Sequence, residues 1–274
     1  MKPAAFLLIL LSHLPLSAST SKWQLIWSDE FDYTGLPNPA KWDYEKGFIR
    51  NDEAQLYMAE RLKNTQVENG LLIIEAHKEK LRNPFHDPNS YRNKKETGDY
   101  TSGSLTTFGK HSWTYGRFEF RAKVPKGIGT WPAIFTFGNN KKEVRWPHCG
   151  EIDILEYVGF KPGIIHANVY STSFNHLNGT SRGNVTTVPD ADTVFHTYVL
   201  EWTPQGMAFF VDDMKFFSCF NDGTGEDSWP FDKPHYLIMN LAIGGAWGGT
   251  QGIDDAALPA RFEIDYVRIY QEKK

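Results

Sequence analysis

Residues 116–124 alternate without a break, with Arg117, Glu119, Arg121 and Lys123 on one parity and Phe118, Phe120, Ala122 and Val124 on the other. A period of two belongs to a strand with one buried face and one wetted face. It excludes a helix, whose apolar positions recur at three and four. Shorter runs of β-branched and aromatic residues recur along the chain, over 23–28, 71–77, 102–107, 133–137, 151–157, 164–171, 196–202, 208–212, 235–241 and 262–270. Gly, Pro, Asn and Asp break them apart, and almost no helical periodicity intervenes. About a dozen short strands in one chain predict an all-β fold, two antiparallel sheets stacked as a jelly-roll sandwich.

The chain has 274 residues, which suits one such sandwich. No repeat, linker or low-complexity tract divides it. Residues 1–19 read as an export signal, with Lys2 ahead of an apolar run at 4–11 and small residues at Ser17, Ala18 and Ser19. That run is too short to span a bilayer, and residues 20–274 are then expected to form a single β-sandwich domain outside the cytoplasm, extracellular or periplasmic. Two polar stretches, 78–99 and 174–192, read as long loops. The second carries two N-glycosylation patterns, at Asn178 and Asn184, which matter only in a eukaryotic host. A net charge of −4 without a basic block excludes a nucleic-acid footprint. Nine Trp exceed what the core requires and point to a groove for flat apolar faces as well as to core filling. The two cysteines, Cys149 and Cys219, permit a disulfide that a sandwich of this size does not need. Cys149 reads as a buried filler rather than a nucleophile.

The sharpest feature is Gly150-Glu151-Ile152-Asp153-Ile154-Leu155-Glu156. In a regular strand Glu151 and Asp153 share one face, while Glu156 falls among the isoleucines at a heavy desolvation cost. One extra residue near Ile154 and Leu155, a β-bulge, returns Glu156 to the face of Glu151. Three carboxylates on one face repel one another, so the arrangement serves chemistry, a metal, or simply an acidic edge. Glycoside hydrolysis needs such a pair, one carboxylate ionised and the other protonated, about 5–5.5 Å apart when configuration is retained. Mutual repulsion raises one pKa and so keeps that proton in place.

The run GEIDILE resembles the active-site signature of glycoside hydrolase family 16 in its bulged form. Tyr115-Gly116-Arg117-Phe118-Glu119, Trp131-Pro132-Ala133, the segment NLAIGGAWGG at 240–249 and Ile264-Asp265-Tyr266-Val267-Arg268-Ile269-Tyr270 are also similar to laminarinase-type members. The resemblance runs from about Trp27 to Tyr270. It implies a substrate cleft on the concave face of the sandwich, with Glu151 as nucleophile, Asp153 as its assistant and Glu156 as acid/base. It implies sugar-binding roles for Asn51, Arg121, Trp131, His166 and Trp247. Arg121 also fits a solvated outer-face charge, and His166 also fits the core. Trp247, among four glycines, reads as an exposed ring on a flexible turn. Phe135 stands where these members commonly carry a second Trp, which leaves the preferred linkage open. Glu30, Gly70 and Asp265 match a structural calcium site of the family, or else form a surface carboxylate pair near a turn glycine. No cofactor is implied for catalysis.

The resemblance implies an endo-acting, retaining β-1,3- or mixed-linkage β-1,3-1,4-glucanase, with polysaccharide as its partner and a monomer as its expected state. Two other readings remain at this point. A non-catalytic glucan-binding protein on the same fold usually lacks one of the glutamates, and both are present here. A hydrolase of agar- or carrageenan-like galactans would favour basic cleft loops, and 78–95 is moderately basic.

Overall fold

The computed structural model describes residues 22–273. The export signal expected over 1–19 lies outside the described residues. The strands are, in chain order, β1 (Trp23–Asp29), β2 (Asp43–Tyr44), β3 (Gln55–Tyr57), β4 (Thr65–Glu68), β5 (Leu71–Arg82) and β6 (Thr97–Ser102). They continue as β7 (Ser104–Thr106), β8 (Gly116–Lys123), β9 (Thr130–Gly138), β10 (Glu151–Glu156), β11 (Ile164–Tyr170) and β12 (Arg182–Thr187). The last five are β13 (His196–Thr203), β14 (Gly206–Val211), β15 (Met214–Phe220), β16 (His235–Ile243) and β17 (Ala260–Glu272). A four-residue helix, α1 (Lys141–Val144), separates β9 from β10.

Two sheets hold these strands. The larger runs β15-β14-β13-β8-β17-β5-β6-β3, with β1 and β4 alongside; the smaller runs β12-β11-β10-β9-β16-β7-β2. Between them lies the main core, in which Phe118, Phe120 and Ala122 of β8 meet Ile152, Ile154 and Leu155 of β10 and Leu237, Met239 and Leu241 of β16. The alternation read in β8 is therefore the larger sheet's inner and outer faces. Every residue of β16 is buried, because a second apolar cluster covers the smaller sheet's outer side. That cluster comprises Ala133, Phe135, Phe137, Cys149, Tyr236 and Ile238. It is the floor of the candidate site.

Three sequence expectations change. The pairs are not all antiparallel, since β3 and β6 run parallel. The loop expected over 78–99 is shorter, because β5 continues to Arg82 and β6 starts at Thr97. Within 174–192 an edge strand forms, β12, whose largely exposed residues, polar apart from Gly183 and Val185, carry no apolar alternation. Asn184 sits in that strand with its amide donating to the Phe216 carbonyl at 2.7 Å. Both cysteines are free and buried.

Candidate active site

The bulge falls where parity requires it. Against β9, Asp153 pairs with Phe135 and Leu155 with Ile134, so Ile154 is the extra residue. Against β11, Asp153 pairs with Asn168 and Glu156 with His166. Ile154 and Leu155 both turn into the core, and Glu156 rejoins Glu151 and Asp153 on the outer face. Gly150 leads into the strand at φ 77°, and a Cβ there would come within 2.9 Å of the Phe231 ring. Only glycine combines that left-handed backbone with that close approach. Glu151 and Glu156 stand opposite Phe137 and Ala133, four ladder positions apart. That puts their Cα atoms roughly 13 Å apart, with Asp153 between them on the same face.

Each carboxylate has its own surroundings. Glu151 accepts a hydrogen bond from the Trp146 indole Nε1. Glu156 accepts from Trp131 Nε1 at 3.2 Å and from Asn168 Nδ2 at 3.0 Å. Asp153 is buried and shares a hydrogen bond with the Glu151 carboxyl. Burial, reinforced by the charges of Glu156 and Glu151, raises Asp153 well above the usual carboxylate range. Burial and the charge of Glu151 push Glu156 up to about 7. Burial also raises Glu151, but the Lys141 ammonium, the Trp146 indole and the Arg50 guanidinium all oppose that rise. Asp153 therefore holds a proton that it can share with Glu151, Glu156 holds one near neutrality, and Glu151 is the group its neighbours favour as an anion.

Aromatic side chains wall the carboxylates on both sides. The Trp131 and Trp247 rings meet edge to face at 5.5 Å, and Trp247 meets His166 at 4.9 Å. Burial, with the Lys161 charge, lowers His166 to about 4, so its ring is neutral, and its Nε2 has no partner. On the Glu151 side, Trp146 packs against Tyr170 and His176. Trp247 is half-buried rather than loosely exposed. Its turn is pinned by Gly244 N–H to the Gly129 carbonyl and by Ala246 N–H to the Asn51 carbonyl, each 2.8 Å. Gly248 lets that turn close on Trp131, where a Cβ would approach within 2.9 Å. Asn51 thus sits at the rim beside Trp247's turn, and its amide reaches Glu53 at 3.4 Å.

Arg121 does not join them. It lies on the outer face of β8, on the far side of the sandwich, paired with Asp265 and stacked over Phe195. The solvated outer-face alternative is the observed one. The cations near the carboxylates are instead Lys141 and Arg50, the latter partly buried against Glu45 and 5.4 Å above the Phe135 ring. Trp146, Asn168 and Lys141 were also missed. Asn168 shares the parity of His166 on β11 and was readable from it; Trp146 and Lys141 arrive from the β9–β10 connection, whose path no periodicity announces.

Glu30, Gly70 and Asp265 flank one stretch of β17. Strand β1 pairs with β17 from Val267 onward, and β5 pairs with it only as far as Ile264. Asp265 and Tyr266 therefore fall in a gap between two ladders, with Glu30 just past the end of β1 and Gly70 just before β5. Both carboxylates are engaged, Glu30 by Arg268 and Asp265 by Arg121. A cation in this gap would have to draw on backbone carbonyl oxygens or displace an arginine.

The sequence model of the glycosyl hydrolases family 16 matches residues 42–268. A β-glucanase of Rhodothermus marinus is 48% identical over 258 residues, covering 91% of this chain and 85% of that protein. The crystal structure of the Rhodothermus marinus laminarinase superposes with a TM-score of 0.84 at 47% identity, covering 92% of this chain and 98% of the other. A non-specific endo-β-1,3(4)-glucanase of the same family superposes with a TM-score of 0.82 at 42% identity, covering 92% of each chain.

Proposed function

The chain belongs to glycosyl hydrolase family 16, and from that premise we propose that it is an endo-acting glucanase cleaving β-1,3 or mixed β-1,3-1,4 linkages with retention of configuration. The observation that carries this reading is the set of three carboxylates on one bulged strand with unequal proton affinities. Relatives that cover this chain nearly end to end are named for β-glucan, laminarin and β-1,3(4)-glucan hydrolysis.

Glu151 is assigned as the nucleophile. Its carboxylate attacks the anomeric carbon as the glycosidic C–O bond breaks, while the proton of Glu156 passes to the departing oxygen. Glu156, now ionised, takes a proton from water, whose oxygen then displaces Glu151 from the anomeric carbon. Two inversions restore the β configuration. Asp153 is a positioning residue: its proton is shared with Glu151 in the resting state and steadies the carboxylate as its charge comes and goes. Trp131 and Asn168 hold Glu156 through both protonation states. Trp247, Trp131 and Trp146 offer ring faces and edges to pyranose carbons.

The test is product analysis on laminarin, barley β-glucan, lichenan and agarose, with the anomer followed early by NMR. Oligosaccharides released from the first three with the β-anomer first support the reading. Release from agarose alone, or the α-anomer first, refutes it. Phe135, beneath the Arg50 guanidinium, lies where linkage preference would be set.

Two further parts rest on sequence. The 1–19 segment is proposed to export the protein. A structural calcium ion is proposed in the β17 gap, held by carbonyl oxygens of Glu30 and Gly70 and by oxygen of Asp265; such hard oxygens suit calcium. Its contribution would be to bind the chain ends to the larger sheet, away from the carboxylates.

A further inference from the structure

Beyond Asn51 the cleft rim opens into a cavity of about 330 Å³, bounded by Phe48, Arg50, Asn51 and Glu53 on one side and by Tyr91, Arg92, Lys94 and Lys95 on the other. Arg50, Asn51 and Glu53 already belong to the rim of the carboxylate cleft. The far wall belongs to the β5–β6 connection, which the catalytic assignment leaves unused. Its volume falls in the range of small-ligand pockets, about 300–1,000 Å³.

Three observations separate this wall from an ordinary surface loop. The loop is fastened at both ends and in the middle. Asn83 N–H reaches the Glu96 carbonyl at 2.7 Å, Asp87 N–H reaches the Asn93 carbonyl at 3.0 Å, and Asn93 Oδ1 accepts from Phe48 N–H at 2.8 Å. Next, the facing turn holds Asn51 and Asp52 in succession at φ 55° and 51°. Two consecutive non-glycine residues in the left-handed region cost energy and cluster at binding sites; the bond from Ala246 N–H to the Asn51 carbonyl fixes one of them. Finally, Tyr91 is 82% exposed and presents its ring at the cavity. Among the described residues Arg92, Lys94 and Lys95 form no ion pair, and Lys94 and Lys95 instead sit over the Tyr91 and Phe48 rings at 5.9 and 5.1 Å. An aromatic plate ringed by N–H donors matches a pyranose, whose carbons are apolar and whose hydroxyl oxygens accept hydrogen bonds.

We propose that the 83–96 loop forms a distal sugar subsite of the cleft, in which Tyr91 stacks on a ring of the same glucan chain that lies over Glu151 and Glu156. The inference rests on the glucanase reading and extends it to chain length. A substrate long enough to reach the cavity gains a contact that a short one lacks.

The experiment compares kcat/KM on neutral β-1,3-gluco-oligosaccharides from trimer to octamer for the wild type, Tyr91→Phe and Tyr91→Ala. One stacked ring contributes about two- to tenfold in binding. The wild type should show a step of that size at one chain length, carried by KM. Tyr91→Phe should keep the step, and Tyr91→Ala should erase it, with melting temperatures unchanged because the ring is not packed. A step that persists in Tyr91→Ala overturns the subsite. So does tighter binding of sulfated than of unsubstituted oligomers that is indifferent to Tyr91, since the cations would then be the site and an anionic substituent its ligand. Failure to cleave any oligomer would instead strike the glucanase reading.

Discussion

Replacing Glu156 by Gln separates chemistry from stability in a single variant. Burial and the Glu151 charge lift this carboxyl from its ordinary 4.5 to about 7. At about 1.4 kcal/mol per pH unit, that rise amounts to about 3 kcal/mol. A carboxyl raised in the native state keeps its proton where the unfolded chain has released it, so native stability falls as pH climbs from 4.5 through 7. Below 4.5 both states are protonated and the effect vanishes. Gln removes the buried charge without stranding a donor: its oxygen accepts from Trp131, and Asn168 can turn its amide to meet the new NH2 group. Thermal melts of Glu156→Gln against wild type should therefore show a gain at pH 8 of about 6–12 °C, at about 2–4 °C per kcal/mol for a chain of this size. At pH 4 the two should melt together. Turnover of natural glucan should meanwhile fall by several orders of magnitude, since no proton reaches the leaving oxygen. A variant destabilised at pH 8, or stabilised equally at both pH values, would refute the assignment of a desolvated, proton-holding Glu156.

Glu151→Gln should abolish turnover to a similar degree, and Glu151→Ala should regain activity with azide, which enters the vacated space and yields the α-glycosyl azide; recovery with the β-azide would remove Glu151 from the nucleophile role. Trp247→Ala should raise KM several-fold while lowering the melting temperature modestly, because the ring packs only edge-on against Trp131 and His166; a large stability loss with KM unchanged would make it structural. EDTA should lower the melting temperature, and added calcium should restore it, without abolishing initial rates at low temperature, since a ligand held only by the folded state stabilises it by mass action; no calcium-dependent shift would remove the ion.

Legibility followed conflict. Glu156 could be placed because its position in an unbroken strand was untenable: parity buried a carboxylate among isoleucines, only one extra residue relieved that, and β10 carries its bulge there. Strand β8 was legible because its two faces differ at every step. Where no conflict existed, nothing pointed the way. The continuation of β5 over 78–82 and the whole of β12 are largely exposed and mostly polar, so a strand and a loop cost much the same in burial and leave much the same sequence. Arg121 alternated correctly and was still misassigned to the cleft, since alternation tells the outer face from the inner one but not which sheet the strand joins. Arg50 was overlooked beside Asn51 because a cation in a loop needs no excuse until the fold buries it. Its reason appears only with the tertiary structure, where it neutralises Glu45 and lowers the proton affinity of Glu151 from across Phe135. The ionisation of Glu151 is thus set by its burial and by residues from the β2–β3 and β9–β10 connections as well as by its neighbours on the strand, so the strand alone encodes the carboxylates' spacing but only part of their charge states.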